Sequence, residues 1–163
     1  TRPLASLDVR APIEETLVLL RGQLEQKRIS VNRLYDQVLP QVAGDPAQLK
    51  QLFLNLFMNA LEAMEPAGEL TIRLASGEST SAPSLLVEVC DTGTGIPEQM
   101  IGKVFDPFVT TKPRGSGLGL AICRGIADAH RATIRVENNA NRRGTTVTIE
   151  FVVMEETLAT VKT

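Results

Sequence analysis

Two asparagines four residues apart, Asn55 and Asn59, are the first residues in this 163-residue chain whose type and spacing suggest chemistry. They lie on a polar stripe along 45–65, where the apolar residues recur at three- and four-residue steps and predict a helix buried on one side. Asn is a poor residue in the middle of a helix, because its amide competes for backbone hydrogen bonds. Either the stripe simply faces water, or Asn59 offers its carbonyl oxygen to a hard cation such as Mg²⁺ with Asn55 beside it.

A second candidate is Asp91, which stands where the apolar run 85–90 opens into the glycine-rich sequence DTGTGIP at 91–97. Glycines permit positive φ and a close approach of backbone to a ligand. A carboxylate at the floor of a pocket accepts from an amino group such as the exocyclic N–H₂ of adenine. An Asp that only caps a tight turn explains the sequence about as well.

A third candidate is the sequence GSGLG at 115–119, which opens a predicted helix over 117–129. Free backbone N–H groups and the positive end of the helix dipole meet there, so the site suits an anion. A dinucleotide fingerprint is not indicated, because the glycines follow a loop and not a strand. A P-loop is not indicated either, because no Lys-Ser/Thr follows the glycines. Capping glycines without a function are the alternative.

The segment VFDPFVTTK at 104–112 lies between these two glycine sequences. Its aromatic residues, Phe105 and Phe108, could anchor a lid by burying apolar area, while Lys112 or the nearby Arg114 could approach a phosphate. A solvated basic loop is the other interpretation.

The elements that must position these residues follow from periodicity and turn residues. The central helix has a marked start, with Asp45 as cap, Pro46 at the first position and Gln48 at the capping-box spacing. Helices are predicted over 12–27, 45–65, 97–103 and 117–129, and strands over 29–35, 38–42, 69–75, 85–90, 133–137 and 145–153, with a hairpin loop over 76–84. This order predicts an α+β fold, a two-layer α/β sandwich whose mixed, mostly antiparallel sheet is covered on one face by three helices.

Composition limits the class of protein. With 43% hydrophobic residues the chain suits one packed core, and its net charge of −2 gives no basic field for nucleic acid or an anionic membrane. No apolar run approaches the roughly 18 residues of a spanning helix. Cys90 and Cys123 lack metal-ligand spacing and are expected to be reduced core thiols of a cytoplasmic protein, and His130 is expected at a surface or helix end, without a catalytic role.

Four sequences in one order resemble a known family: NLFMNALEA (55–63), DTGTGIP (91–97), VFDPFVTTK (104–112) and GSGLGLAI (115–122). They are similar to the N box, first glycine box, F box and second glycine box of the catalytic ATP-binding domain of sensor histidine kinases. This domain belongs to the Bergerat-fold, or GHKL, superfamily with DNA gyrase, mismatch-repair ATPases and the heat-shock chaperones of ninety kilodaltons. The resemblance runs from about Ala11 to Val153.

The resemblance implies a Bergerat fold that binds ATP and Mg²⁺. By it, Asn59 holds the metal, Asn55 supports the phosphate and metal site, and Asp91 takes the adenine amino group. It also implies nucleotide contacts from glycines and threonines that shape the adenine and phosphate ends of the site, and from the lid residue Lys112. The full set of further contacts is Gly93, Gly95, Ile96, Phe105, Thr111, Arg114, Gly115, Gly117, Leu118, Gly119, Thr145 and Thr146.

Position 55 bears on the reaction. ATP-hydrolysing members of the superfamily typically carry a Glu four residues before the metal-binding Asn, and this chain carries Asn55. An amide cannot hold a proton at neutral pH and is no general base. The resemblance therefore favours transfer of the γ-phosphoryl group to a histidine in two-component signalling. The alternatives are a Bergerat-fold ATPase or an ATP-binding interaction module of the anti-sigma type.

The chain also departs from the family pattern. His130-Arg131-Ala132 stands where a His is usually followed by a Gly pair, and no His-Glu/Asp-x-x-x-Pro acceptor motif is present. We therefore expect residues 1–10 to be the remnant of a linker from a separate dimerisation domain that carries the acceptor histidine, 11–153 to be the catalytic domain and 154–163 a tail. The implied partners are that domain and a downstream response regulator, in a cytoplasmic protein that is a homodimer at full length and a monomer as this domain alone. Membrane anchoring of the parent protein is left open.

Overall fold

The structure, a computed structural model, describes residues 4–79, 82–106, 119–140 and 142–153. In these ranges the helices are α1 (Arg10–Leu19), α2 (Arg21–Gln26), α3 (Pro46–Ala63), α4 (Glu98–Ile101) and α5 (Gly119–Ala129). The strands are β1 (Ala5–Leu7), β2 (Ser30–Tyr35), β3 (Val42–Gly44), β4 (Glu69–Ser79), β5 (Ala82–Asp91), β6 (Ala132–Asn138) and β7 (Thr145–Val152). None of the helices within these ranges is long and apolar enough to cross a bilayer.

The main sheet has five strands in the order β2-β4-β5-β7-β6. The β2–β4 pair is parallel, and the other three pairs are antiparallel. Alternate residues of the central strands are fully buried under the helices, and α3 supplies the stacked rings of Phe53 and Phe57 to the same core. The predicted two-layer sandwich with a mixed, mostly antiparallel sheet is thus confirmed.

Several element boundaries differ from the prediction. The expected helix over 12–27 is two helices that meet at Leu20, and the expected strand over 38–42 is instead Val42–Gly44. That strand pairs with β1, which lies in the segment predicted as a linker remnant and was not predicted as a strand. The hairpin loop predicted over 76–84 is shorter, because β4 runs to Ser79 and β5 starts at Ala82.

The start of α3 is held by a partner distant in sequence. The Asp45 carboxylate accepts from the backbone N–H of Ala47 at 3.0 Å, as a helix cap should. The backbone N–H of Asp45, which a capping box would give to Gln48, donates instead to Nε2 of His130 at 3.0 Å. The expected capping box is therefore replaced by a tertiary contact.

His130 lies at the end of α5 as expected, but it is buried, with only 4% of its surface exposed. Its Nδ1 lies 2.8 Å from the carbonyl oxygen of Ile126. Since Nε2 accepts from Asp45, Nδ1 must carry the hydrogen and donate. One imidazole therefore joins the end of α5 to the start of α3.

Replacing His130 with Ala is expected to lower the free energy of unfolding by about 2–4 kcal/mol, because a cavity forms and the buried N–H of Asp45 loses its acceptor. Urea unfolding followed by circular dichroism measures the change. Asp128→Ala, at an exposed position of α5, is the matched control and should stay within about 0.5 kcal/mol of wild type. A His130→Ala protein as stable as that control would contradict the tether.

A second network joins α1 to β2. The Glu14 carboxylate accepts from Arg33 Nε at 2.9 Å and from the Tyr35 hydroxyl at 2.6 Å. The hydrogen bond from Arg33 holds the pKa of Glu14 below its ordinary 4.5. Burial, with Glu14 beside it, raises the pKa of Tyr35, so the hydroxyl stays protonated and donates.

This network predicts a pH dependence. A carboxyl group whose pKa is lower in the folded state stabilises the protein above its unfolded pKa, and that contribution is lost as the pH falls through the lowered value. Below pH 4.5 wild type should therefore lose more stability than Glu14→Gln. The Arg33 and Glu14 side chains are 44% and 41% exposed, so the difference should be under about 1 kcal/mol. Urea midpoints of both proteins from pH 7 to pH 3 measure it, and parallel curves would contradict it.

Candidate functional site

Asn59 on α3 lies directly under the first turn of α5. A Cβ built on Gly119 would stand 3.4 Å from Nδ2 and 3.5 Å from Oδ1 of Asn59. At the other end of the same two helices, His130 contacts Asp45, so α3 and α5 run antiparallel. The structure thus brings together the amide that was predicted to bind a metal and the glycine that was predicted to meet phosphate.

Asn55, one turn earlier on α3, has one satisfied atom and one unsatisfied atom. Its Oδ1 accepts from Nε2 of Gln51 at 2.9 Å. Its Nδ2 is buried near the Cys123 thiol, a weak acceptor, and has no oxygen acceptor among the described residues. A buried donor without an acceptor costs roughly 1–3 kcal/mol. The unmet donor beside Asn59 therefore matches an oxygen-rich ligand.

Cys123 on α5 lies near Asn55 but does not complete this site. Burial raises the pKa of its thiol to about 12, against the smaller opposing effect of the Asn55 amide. Its Sγ lies 3.8 Å from the carbonyl oxygen of Leu52. Cys123 is therefore the buried, protonated core thiol that the sequence predicted, while Cys90 is only half-buried.

Asp91 ends β5 with a buried carboxylate whose orientation is fixed. Its Oδ1 accepts from the backbone N–H of Gly93 at 2.8 Å and from that of Thr145 at 3.2 Å. Thr146 faces Cys90 across the β5–β7 pair, so both predicted threonines lie next to the end of β5. The carboxylate is held by β7 and by its own turn at once.

The turn after Asp91 is attached to the end of α3. The backbone N–H of Thr94 donates to the carbonyl oxygen of Ala63 at 3.1 Å. A Cβ on Gly93 would stand 2.5 Å from that same oxygen, so only Gly fits. Ala63 is four residues after Asn59, a rise of about 6 Å along the helix. The two predicted halves of the site, amide and carboxylate, are therefore connected through one helix.

Lys27 binds the C-terminal end of α3. Its Nζ donates to the carbonyl oxygens of Leu61 at 2.6 Å and Met64 at 3.0 Å. Carbonyls at a helix C-terminus lack the usual intrahelical partner, and here Lys27 bonds two of them, although the Leu61 oxygen also accepts from the N–H of Met64. No local pattern indicates this contact, because Lys27 lies 34 residues before Leu61.

Two asparagines at the end of β6, which sequence reasoning missed, hold the other side of the turn. Asn138 contacts Ile96, and Nδ2 of Asn139 donates to the carbonyl oxygen of Asp91 at 2.9 Å. Oδ1 of Asn139 also accepts from the Thr146 hydroxyl at 2.5 Å. A signal was present, since paired Asn residues before a basic, glycine-containing turn are typical of side-chain to backbone bonding.

Gly144 closes the β6–β7 turn against Asp91. Its φ is +112°, which L side chains rarely adopt, and a Cβ would overlap the carbonyl oxygen of Asp91. Gly95 likewise has φ +80°. Both positions require glycine, Gly95 because of its positive φ and Gly144 because its backbone also packs directly against the Asp91 carbonyl.

Phe105 is half-buried at the start of the predicted lid. The Arg124 guanidinium carbon of α5 lies 5.6 Å from its ring centroid, a cation–π contact. The remaining predicted site residues lie outside the described residues, namely Thr111, Lys112, Arg114, Gly115, Gly117 and Leu118.

Comparisons with known proteins identify a family for this chain. The model of the "Histidine kinase-, DNA gyrase B-, and HSP90-like ATPase" family matches residues 44–155. Sensor histidine kinase TmoS of Ectopseudomonas mendocina is 40% identical over 137 residues, which are 83% of this chain and 14% of TmoS. The chain therefore spans a small part of this relative's length.

Solved structures give the same result. The catalytic domain of histidine kinase ThkA superposes with a TM-score of 0.81 at 31% identity, covering 95% of this chain and 99% of that one. ThkA has also been solved in complex with the response regulator TrrA, and there the TM-score is 0.76 at 29% identity, covering 94% of this chain and 42% of that one.

The chain thus belongs to the family of histidine kinase-, DNA gyrase B- and HSP90-like ATPases, and is an ATP-binding domain. Within that family its relatives are sensor histidine kinases, and its fold is that of their catalytic domain.

Proposed function

We propose that this chain binds Mg²⁺·ATP in the cleft formed by α3, the start of α5 and the Asp91 turn, and passes the γ-phosphoryl group to a histidine of a separate domain. The observation that carries the proposal is that α3 bears Asn55 and Asn59 on its polar stripe and, one turn later, bonds the Asp91 turn through Ala63. A nucleotide could thus contact both halves of the site at once. The named sensor kinases among the relatives support the same conclusion.

At the base end, Asp91 would accept from the exocyclic amine of adenine. Two backbone N–H groups already fix one of its oxygens, so the carboxylate is oriented before a ligand arrives. Gly93, Gly95 and Ile96 would let backbone approach the base, with Thr145 and Thr146 beneath it. Recognition would then depend on hydrogen-bond geometry more than on apolar area.

At the phosphate end, the donor set fits a hard cation and an anion. Asn59 offers an amide oxygen of the kind Mg²⁺ accepts, and Asn55 offers an N–H donor that has only the weak Cys123 thiol beside it. Bound Mg²⁺ would neutralise the charge of the phosphates. Gly119 would bring the positive end of the α5 dipole to them. Roles for Thr111, Lys112, Arg114, Gly115, Gly117 and Leu118 remain proposals from the family resemblance, as does the role of Phe105.

Asn55 favours phosphoryl transfer over hydrolysis. Its Oδ1 is occupied by Gln51, and an amide cannot take a proton from water. Catalysis would then come from positioning and charge neutralisation. A Bergerat-fold ATPase and an anti-sigma-type binding module are the competing functions.

The phosphoacceptor must come from elsewhere. His130, the only histidine, is buried and uses both ring nitrogens in hydrogen bonds. We therefore propose a histidine on a separate dimerisation domain as the acceptor, a response regulator as the downstream partner, and a homodimeric parent protein in the cytoplasm. We also propose residues 11–153 as the catalytic domain, 1–10 as a linker whose strand β1 pairs with β3 of that domain, and 154–163 as a tail outside it.

The test is to mix this chain with a separately made dimerisation domain that carries the His-Glu/Asp-x-x-x-Pro motif, using ATP labelled at the γ-phosphate. Acid-labile, alkali-stable label on the acceptor is expected. Steady release of phosphate without labelled acceptor would favour an ATPase, and nucleotide binding with neither product would favour a binding module. A chain that fails to bind ATP at all would contradict the proposal.

A further inference from the structure

Asn138, the last residue of β6, bonds both backbone groups of Ile96. The Ile96 N–H donates to Oδ1 at 2.8 Å, and Nδ2 donates to the Ile96 carbonyl oxygen at 2.8 Å. One side-chain amide thus does for Ile96 what a neighbouring strand does for a residue of a sheet. Ile96 is otherwise in irregular backbone, so this pair fixes its position.

The same amide also lies against Gly95. A Cβ on Gly95 would stand 3.1 Å from Oδ1 of Asn138, and the φ of Gly95 is +80°. Asn138 itself is exposed, so its two hydrogen bonds do not serve to fill the core. The two hydrogen bonds instead hold the turn at Ile96 in place.

The next residue holds the opposite end of the turn. Nδ2 of Asn139 donates to the carbonyl oxygen of Asp91, five residues before Ile96. Two consecutive amides on one strand end therefore fix Asp91 and Ile96 relative to each other. The end of β6 therefore helps to set the spacing between the backbone of Asp91 and that of Gly95–Ile96, together with the turn's own hydrogen bond from Gly93.

We propose that Asn138 is a positioning residue that sets selectivity for adenine over guanine, an inference that rests on the proposed binding of ATP. If Asp91 recognises the base from one side, the Gly95–Ile96 backbone bounds the space in which the base can turn. Adenine offers an N–H₂ where guanine offers a carbonyl oxygen. The site can reject guanine only while the Asp91 carboxylate and the Gly95–Ile96 backbone keep their relative positions. Release of Ile96 would let guanine tilt away from the carboxylate at lower cost.

The test is a competition titration in which ATP and GTP displace a fluorescent ATP analogue from wild type and variants. Asn138→Ala should weaken ATP by about tenfold and lower the ratio of GTP Kd to ATP Kd by about fivefold or more. Asn138→Ser, too short to span both atoms of Ile96, should behave in the same way and serves if the Ala variant folds poorly. Glu137→Ala is the control, since it is exposed and points to the opposite face of β6, and it should leave the ratio unchanged.

The ratio separates positioning from simple destabilisation, because partial unfolding weakens both nucleotides by the same factor. Equal losses for ATP and GTP in Asn138→Ala, with ATP still preferred by wild type, would overturn the positioning role and leave the proposed function intact. A wild-type chain that binds no adenine nucleotide would overturn the proposed function, and this inference with it.

Discussion

An Asp91→Asn protein is expected to bind ATP roughly 10- to 100-fold more weakly than wild type while remaining folded, because a lost or mismatched buried hydrogen bond costs about 1–3 kcal/mol. The Asn carbonyl oxygen can still accept from Gly93 and Thr145, so the turn keeps its shape. The second carboxylate oxygen becomes an N–H₂ group, which would face the N–H₂ of adenine. Two donors would then oppose each other.

Calorimetric titration measures the change in ATP affinity, and a second nucleotide with a different base makes the test more specific. Inosine triphosphate carries a carbonyl oxygen where adenine carries its amine, so its affinity should fall less than that of ATP in Asp91→Asn. Asp106→Asn, at an exposed position, is the matched control and should bind ATP like wild type. An Asp91→Asn affinity for ATP within twofold of wild type would remove this carboxylate from base recognition.

An Asn59→Ala protein is expected to lose the gain in ATP affinity that Mg²⁺ provides, about tenfold or more, and to lose phosphoryl transfer by roughly two orders of magnitude or more. Asn59 is the amide that lies under Gly119, so its loss removes the proposed protein ligand of the cation. Without Mg²⁺, the variant and wild type should bind ATP with similar affinity. The measurement is titration with ATP in excess Mg²⁺ and again in chelator.

The control for Asn59 must lie on the same stripe without taking part in the site. Gln51 is unsuitable, since its Nε2 donates to Oδ1 of Asn55. Gln48→Ala is better, because Gln48 is exposed and lies three turns before Asn59 on α3. An Asn59→Ala protein that keeps the full Mg²⁺-dependent gain would contradict the metal role.

The sequence predicted those parts of the proposed site that depend on local patterns. The stripe of α3 follows the helical period, and Asp91 stands where an apolar strand meets glycines. Both patterns reflect forces that act within a few residues, namely burial of one helix face and permissive backbone at a turn. The structure therefore confirms the helix and the strand end at those positions.

The parts that were missed depend on partners far apart in the chain. Lys27 reaches the end of α3 across 34 residues, and Asn138 reaches Ile96 across 42. The capping box at Asp45 did not form because His130, 85 residues later, took the same N–H. Local propensity could not predict these long-range hydrogen bonds, since a tertiary hydrogen bond produces no periodic pattern in the sequence.

The boundaries that shifted have a similar cause. Ser76 and Gly77 have loop-like composition, yet they stay in β4 because the pairing with β5 continues through them. β1 and β3 have three residues each, too few for alternation to appear, and exist because they pair with each other. In both cases the neighbouring strand, and not the residue type, decides the conformation.

The measurement that tests the central claim most directly is a titration of the isotopically labelled chain with a non-hydrolysable ATP analogue and Mg²⁺, followed by nuclear magnetic resonance. If one cleft binds the nucleotide, the backbone amides of Gly93, Thr145 and Gly119 and the side-chain amide of Asn59 should shift together with a single Kd. Signals of Thr16, on the buried face of α1, should not move. Shifts confined to one of these groups, or different Kd values for the Asp91 turn and for Asn59, would show that they do not form one nucleotide site.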